Sequence, residues 1–256
     1  MGIRGSAVCG RYRIRKVINN MYTFDSRVRY SEVGTDGNMT LIALLDYFQD
    51  CSTFHSEDIG LGTDYLKERN QVWMLSSWQI CVNRYPHLCE EIVTGTAPYA
   101  FKGFVGYRNF EMKTQSGEVL AYANSIWSLM DLIRMMPAKP TEEMLRGYVL
   151  EEKYPMEYAP RKIRVPENGG QMDPFIVKAH HLDTNNHVNN GQYVRMAMDY
   201  IPKDFCVRQL RVEYKSQAVL GDVIYPVVAF DQETGLYTVS LNKEDGRPYS
   251  IAEFSC

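Results

Sequence analysis

The chain has 256 residues, 45% of them hydrophobic and 23% charged, with a formal net charge of −3. These values are typical of a folded globular protein and exclude a disordered or low-complexity chain. The slight negative charge gives no bulk electrostatic basis for binding nucleic acid. No apolar run reaches the roughly 18 residues that a membrane-spanning helix requires, so we expect no stable insertion into a membrane.

The six cysteines, at positions 9, 51, 81, 89, 206 and 256, form no C-x-x-C pair and have no flanking histidines at zinc-finger spacing. In a chain of this length they are typical of reduced thiols. We therefore predict a cytoplasmic protein with no metal ion and no cofactor. Residues 1–20 carry four basic side chains and are interpreted as a basic leader: Arg11, Arg13, Arg15 and Lys16.

Two stretches of the chain repeat the same order of elements, a helix followed by four strands. Residues 41–51 have apolar side chains at helical spacing after a polar cluster, and residues 190–200 follow a second polar cluster in the same way. Helices against antiparallel strands indicate an α+β fold. Segments rich in β-branched and aromatic residues predict the strands: 72–83, 91–98, 104–114 and 118–130, then 206–217, 222–230, 236–242 and 247–254.

The two halves align with an offset of 149 residues, which places Thr35 on Thr184. Identities are few, but the matching order of elements suggests two similar units packed side by side. A short helix is expected after Thr141, because threonine is a frequent N-terminal cap. We predict an N-terminal unit, a proline-containing connector and a C-terminal unit over 21–135, 136–165 and 166–256.

The densest polar stretch, residues 180–190, lies immediately before the second helix. Asp183, Asn185 and His187 alternate along it, so an extended backbone would project them to one side. A carboxylate, an amide and an imidazole beside the positive end of a helix suit polarising a carbonyl and activating water. This stretch is therefore the candidate site.

The matching positions of the first half hold Gly34, Asp36 and Asn38 and lack this ionisable set. If the protein is an enzyme, the second half carries the chemistry and the first half shapes the site. Two alternatives stay open from the residues alone. The polar residues can serve only as helix caps beside a packed imidazole, or His181 can join the second-half set in a metal site without a familiar ligand spacing.

The string Asp-x-Asn-x-His-Val-Asn-Asn-x-x-Tyr, from Asp183 to Tyr193, resembles the motif of the acyl-acyl carrier protein thioesterases of plants and bacteria. Segments 29–33, 78–86 and 212–218 are also similar to that family. The resemblance implies a double hotdog, two tandem units that each wrap an antiparallel sheet around a helix. It further implies hydrolysis of a fatty acyl thioester on acyl carrier protein, with release of free fatty acid.

By the same resemblance, Asp183, Asn185 and His187 are expected to be catalytic, together with Gln217 on the later strand. Many family members have Glu at the position of Gln217, followed by Cys or Ala; here Ala218 follows. Because glutamine cannot accept a proton as a carboxylate does, our hypothesis assigns the base to Asp183, acting with His187. The residues expected to bind substrate are Trp78, Asn189, Asn190 and Tyr193.

The resemblance places selection of the acyl chain in the first unit. Its candidate wall residues, which can equally be ordinary core residues, are Leu44, Leu45, Phe48, Trp73, Met74, Trp78 and Ile80. Acyl carrier protein is acidic, so a basic docking patch is expected. The candidate patches are the leader and the cluster Arg161, Lys162 and Arg164.

Three other functions stay open. Acyl-coenzyme A can replace the acyl carrier protein as substrate, the protein can be a non-catalytic acyl-binding hotdog, or the scaffold can host a dehydratase, because hotdog folds carry several chemistries. A homodimer is compatible with the sequence. The sequence fixes neither the preferred length of the acyl chain nor the oligomeric state of the protein.

Overall fold

The structure is a computed structural model that describes residues 21–165 and 167–256. The predicted basic leader, 1–20, lies outside the described residues. Two short 3-10 helices, Tyr30–Glu32 and Ala179–His181, precede the two predicted helices. The other elements are β1 Tyr22–Arg27, α1 Leu41–Asp58, α2 Thr63–Glu68, β2 Gln71–Val82, β3 Glu91–Lys102, β4 Val105–Thr114, β5 Val119–Asp131, β6 Met136–Pro137, α3 Glu142–Gly147, β7 Gly170–Gln171, β8 Phe175–Ile176, α4 Asn190–Met198, β9 Gln209–Tyr214, β10 Val223–Asp231, β11 Leu236–Asn242 and β12 Pro248–Ser255.

One antiparallel sheet runs through both halves of the molecule in the order β1-β3-β4-β5-β2-β9-β12-β11-β10-β7. The order of the second half mirrors that of the first, with β2 and β9 at the centre. Trp78 of β2 pairs with Val212 of β9, so the halves share a continuous ladder of backbone hydrogen bonds. The mirrored order is that of two similar units, and it confirms the predicted α+β double hotdog.

Helix α1 is buried against the sheet because its N-terminal half is almost wholly apolar. Thr40 caps the helix by accepting the Ala43 N–H at 3.2 Å. Phe48 is fully buried and packs against Phe110 and Trp78, with ring centres 5.3 and 6.3 Å away. This aromatic cluster fills the space between α1 and the sheet of the first half.

The predicted helices differ from the observed ones at their C-terminal ends. Helix α1 runs to Asp58 rather than residue 51, and α4 ends at Met198 rather than residue 200. Polar residues continue α1 because their hydroxyls are satisfied within the helix: Ser52 and Thr53 both donate to the Gln49 carbonyl, at 2.8 and 3.0 Å. Polarity of residues 52–58 therefore did not end the helix.

The C-terminal part of the connector, residues 154–163, runs across the face of the sheet opposite α1. Gln79 follows Trp78 on β2 and therefore points to the other face, where its amide Nε2 donates to the Glu157 carbonyl at 2.9 Å. Further along, the Ile163 N–H donates to the Glu213 carboxylate at 3.0 Å. These contacts hold this part of the connector against the sheet, whereas Tyr148, nearer the connector's start, contacts Ser56 of α1 at 2.9 Å on the other side.

Candidate active site

The polar stretch before α4 is a tight loop. Leu182 and Val188 form an antiparallel bridge, and the Asp183 N–H donates to the His187 carbonyl at 2.8 Å. Asn186 has a φ of 59°, the left-handed conformation that asparagine tolerates well. The prediction of an extended segment was wrong: a turn closed by the bridge gathers these side chains.

Asp183 holds this loop together. Its Oδ1 accepts the N–H of Asn185 at 2.8 Å and that of His187 at 3.2 Å. No hydrogen bond to its Oδ2 is found among the described residues. One oxygen of the carboxylate is therefore engaged in the loop, and the other is available to a substrate or water.

The segment from Gln217 to Val219 lies directly beside this loop. The Val188 N–H donates to the Ala218 carbonyl at 2.9 Å, and His187 bridges Val219. The Ala218 N–H in turn donates to the Tyr193 hydroxyl at 2.8 Å. These backbone contacts bring Gln217 next to the Asp183 loop, although the two are far apart in sequence.

The first turn of α4 completes the site. Asn189 is the N-cap and accepts the Gly191 N–H at 2.8 Å. The N–H of Asn190, between these two residues, donates to no other described residue. It remains available as one of the unpaired donors of a helix start. His187 Nδ1 is buried and also has no hydrogen-bond partner among the described residues.

A cavity of about 690 Å³ extends from this loop into the first half of the molecule. From the second half it is lined by Asp183, Thr184, Asn185, His187, Asn190 and Gln217. Its other wall comes from α1, α2, the ends of β2 to β5 and the connector residue that follows α3, and includes Gln49, Trp73, Phe101, Arg108, Trp127 and Tyr148. The cavity therefore lies between the two units.

Five of the eight predicted site residues line this cavity: Asp183, Asn185, His187, Gln217 and Asn190. Three do not. Trp78 is 2% exposed and packs in the aromatic core, Asn189 caps α4, and Tyr193 is buried behind Ala218. Desolvation raises the pKa of the Tyr193 phenol, which suits a fixed neutral hydroxyl. We expected these three residues to bind substrate. Their positions instead give them structural roles.

Of the predicted chain-binding wall, Trp73 and Met74 line the cavity. The other candidates are core residues, each at most 2% exposed: Leu44, Leu45, Phe48, Trp78 and Ile80. Hydrophobicity alone did not separate the two groups, because the side chains of both are apolar. Only their position on α1 or along β2 decides which reach the cavity.

Sequence reasoning missed the polar part of the wall. Arg108 on β4 is 8% exposed and lines the cavity, where its Nη1 lies 2.9 Å from His55 Nδ1. Gln49 and Gln71 also line it, and each has a buried Oε1 without a partner among the described residues. The only available signal was an arginine inside a predicted strand, 104–114, that is rich in aromatic residues.

The alternative metal site finds no cluster to support it. In the described parts of the chain, no three His, Cys, Asp or Glu side chains lie close enough together to hold a metal ion. His181 instead accepts the Lys178 N–H at its Nδ1, at 3.0 Å. No described helix is both long and apolar enough to cross a membrane.

Comparison with known proteins by sequence identifies a family for this chain. The family model for the acyl-ACP thioesterase N-terminal domain matches residues 19–148, and that for the C-terminal domain matches residues 166–252. A chloroplastic acyl-[acyl-carrier-protein] hydrolase of Cuphea viscosissima is 26% identical over 88% of this chain. The alignment covers 59% of that relative, so the chain spans little more than half of its length.

Solved structures show the same fold. An acyl-ACP thioesterase from Bacteroides thetaiotaomicron superposes with a TM-score of 0.83 and 24% identity, covering 91% of this chain and 96% of that one. A 12:0-ACP thioesterase from Umbellularia californica superposes with a TM-score of 0.80 and 18% identity, with the same coverage. Since the two family models together match most of its length, the chain belongs to the acyl-ACP thioesterase family.

Proposed function

We propose that this protein hydrolyses fatty acyl thioesters of acyl carrier protein. Water adds to the thioester carbonyl carbon, the carbon–sulfur bond breaks, and a free fatty acid and the carrier's thiol are released. The observation that carries this proposal is the cavity, which joins the Asp183 loop to a long walled space in the first unit. A thioester at the loop thus has room for its acyl chain.

Asp183 acts as the base in this proposal. Its Oδ1 is held by two loop N–H groups, which fix the carboxylate in place, while Oδ2 accepts a proton from the attacking water. His187 lies beside it on the cavity wall, takes over this proton and passes it to the departing thiolate, which leaves Asp183 and His187 as they began. The N–H of Asn190 and the amide of Asn185 stabilise the oxyanion that forms on the carbonyl oxygen.

Gln217 positions the water. Its side chain is exposed to the cavity and carries both a donor and an acceptor, so it can hold a water molecule by hydrogen bonds. It cannot take up the proton that this water loses. Replacement of the family's frequent Glu by Gln therefore shifts the base role to Asp183.

The carrier is an acidic protein, and docking to a basic surface remains a prediction. Arg161, Lys162 and Arg164 are exposed, but they lie on the connector that runs across the sheet face opposite α1. The other candidate patch, in the leader, is outside the described residues. The cytoplasmic location and the homodimer likewise remain predictions.

Free thiol release from a panel of acyl-acyl carrier proteins tests the proposal, with acyl-coenzyme A of the same chain lengths in parallel. The variants are His187→Ala and, as a matched control, Asn38→Ala at the equivalent position of the first half. We expect hydrolysis by the wild type and by the control, and a loss of about 10²- to 10⁴-fold in His187→Ala.

Acyl binding without thiol release from any substrate would overturn the hydrolase and favour the non-catalytic binding protein. Release from acyl-coenzyme A alone would overturn the choice of carrier. Equal losses in the two variants would show that the effect of His187→Ala is structural.

A further inference from the structure

Arg108 places a cation on the wall of the acyl cavity. The side chain rises from β4 toward α1, and its Nη1 donates to the Thr96 hydroxyl at 3.2 Å besides its contact with His55. Its guanidinium carbon lies 5.5 Å from the ring centre of Tyr148. The other guanidinium nitrogens make no hydrogen bond to the described residues, so they are available to a ligand in the cavity.

No carboxylate compensates this charge. No Asp or Glu in the described parts of the chain forms an ion pair with Arg108, and neither residues 1–20 nor Pro166 include an acidic side chain. Its titratable neighbours are neutral at pH 7: burial lowers the pKa of His55 to about 4 and raises that of Cys51 to about 12. A buried cation without a counter-charge is costly.

The face of α1 that lines the cavity is also polar. It presents Gln49, Ser52, Thr53, Ser56 and Glu57, which follow one another at helical spacing. The Glu57 carboxylate is engaged at the start of α2, where it accepts the Thr63 N–H at 2.7 Å. The three hydroxyls are satisfied by α1 carbonyls, Ser56 by that of Ser52 at 2.9 Å. The side-chain oxygen of Gln49 has no partner among the described residues. Its amide can therefore donate a hydrogen bond to, or accept one from, a polar group of a ligand.

The distance from the Asp183 loop to Arg108 can be estimated along α1, which passes both. Asp46 packs beside Gly191 at the start of α4, and His55, which contacts Arg108, lies nine residues further along the helix. That separation is roughly 14 Å at 1.5 Å per residue. An extended chain of about 12 bonds spans it, since the three backbone bonds of one residue cover about 3.5 Å.

We propose that the preferred acyl group ends in a carboxylate that pairs with Arg108, so that the substrate is the monothioester of a medium-chain dicarboxylic acid. This rests on the proposed function and names its substrate class. A methyl-ended chain would leave the guanidinium buried and uncompensated, and a hydroxyl would supply a hydrogen bond but no charge. A carboxylate supplies both the opposite charge and the hydrogen-bond acceptors that the guanidinium lacks, through charge-assisted hydrogen bonds.

The test compares methyl-ended and carboxylate-ended acyl-acyl carrier proteins of about 8 to 14 carbons, bracketing the estimated span. For the wild type we expect kcat/KM to be about 10- to 100-fold higher with the carboxylate-ended chain of best length, the value of charged hydrogen bonds. Arg108→Met should abolish this preference, whereas Arg108→Lys should keep part of it. Arg146→Met, an exposed arginine on α3, is the control.

Calorimetric binding of monomethyl dodecanedioate and methyl dodecanoate, which differ only in whether the far end is a carboxylate or a methyl group, gives a readout that does not depend on thioester hydrolysis. The carboxylate-ended ester should bind more tightly to the wild type and lose that advantage in Arg108→Met. If no thioester is cleaved but this preference holds, the proposed function fails and the ligand assignment stands. A wild-type preference for methyl-ended ligands, or equal losses with both ligands in a folded Arg108→Met, would overturn the assignment.

Discussion

Loops 33–39 and 182–188 have the same backbone but different side chains. In the first, Val33 bridges Met39 and the Gly34 N–H donates to the Asn38 carbonyl at 2.8 Å. These contacts repeat those of the second loop at the offset of 149 residues. Both loops also precede a capped helix, so the two halves share this loop as a scaffold.

The side chains of the first loop are closed on each other. The Asp36 carboxylate accepts the Asn38 side-chain amide at 2.8 Å and its backbone N–H at 3.1 Å, and these bonds lower the pKa of Asp36. In the second loop, by contrast, Asp183 and His187 face a cavity. The loop backbone alone is therefore not sufficient for chemistry, which also needs ionisable groups and a space for substrate.

Removing the charge of Asp183 tests this difference most severely. Asp183→Asn keeps an oxygen that can accept the two loop N–H bonds, so the fold of the loop should persist while the base is lost. We expect kcat to fall about 10²- to 10⁴-fold in acyl-carrier hydrolysis. The same change in the first loop, Asp36→Asn, should leave kcat unchanged.

Gln217→Ala should have a smaller effect, because this side chain is expected to hold water and not to take up its proton. We expect roughly a tenfold loss of kcat/KM, the value of about one hydrogen bond. Steady-state kinetics of this variant and Asp183→Asn are compared side by side. Loss of most activity in Gln217→Ala with retained activity in Asp183→Asn would reverse the assignment of the base.

The residues with left-handed backbone conformation should respond to substitution in the same way in the two loops. Gly37 has a φ of 77° and Asn186, its equivalent, a φ of 59°. Alanine at either position should lower the free energy of unfolding by about 1–2 kcal/mol, whereas Asn186→Gly should be close to neutral. Urea denaturation measures these changes. Destabilisation by Ala at only one position would break the equivalence of the loops.

His55, in the first half, should make the free energy of unfolding depend on pH. Burial and the Arg108 charge hold the pKa of His55 at about 4, below its usual 6.5. Between these values the unfolded chain binds more protons, so stability should fall as pH drops from 6.5 to 4. His55→Gln in the first half should reduce this slope in urea titrations at several pH values. An unchanged slope would exclude His55 as its source.

The α+β class, the repeated order of elements and the motif from Asp183 to Tyr193 could all be predicted from the sequence, since they depend on local periodicity, capping and residue type. The sequence placed Asp183, Asn185 and His187 beside a helix start without the structure. It could not tell caps from cavity residues within the motif, because Asn189 and Asn190 are identical in type and differ only in direction.

The tertiary structure decided which side chains meet across the sheet and between the halves. Gln217 reaches the Asp183 loop through backbone pairing of distant segments, and Trp78 is confined to the core by Phe48 and Phe110. Arg108 became informative only when its cavity position and its lack of a carboxylate were visible. Such long-range contacts depend on packing between strands and helices, for which one sequence carries no local signal.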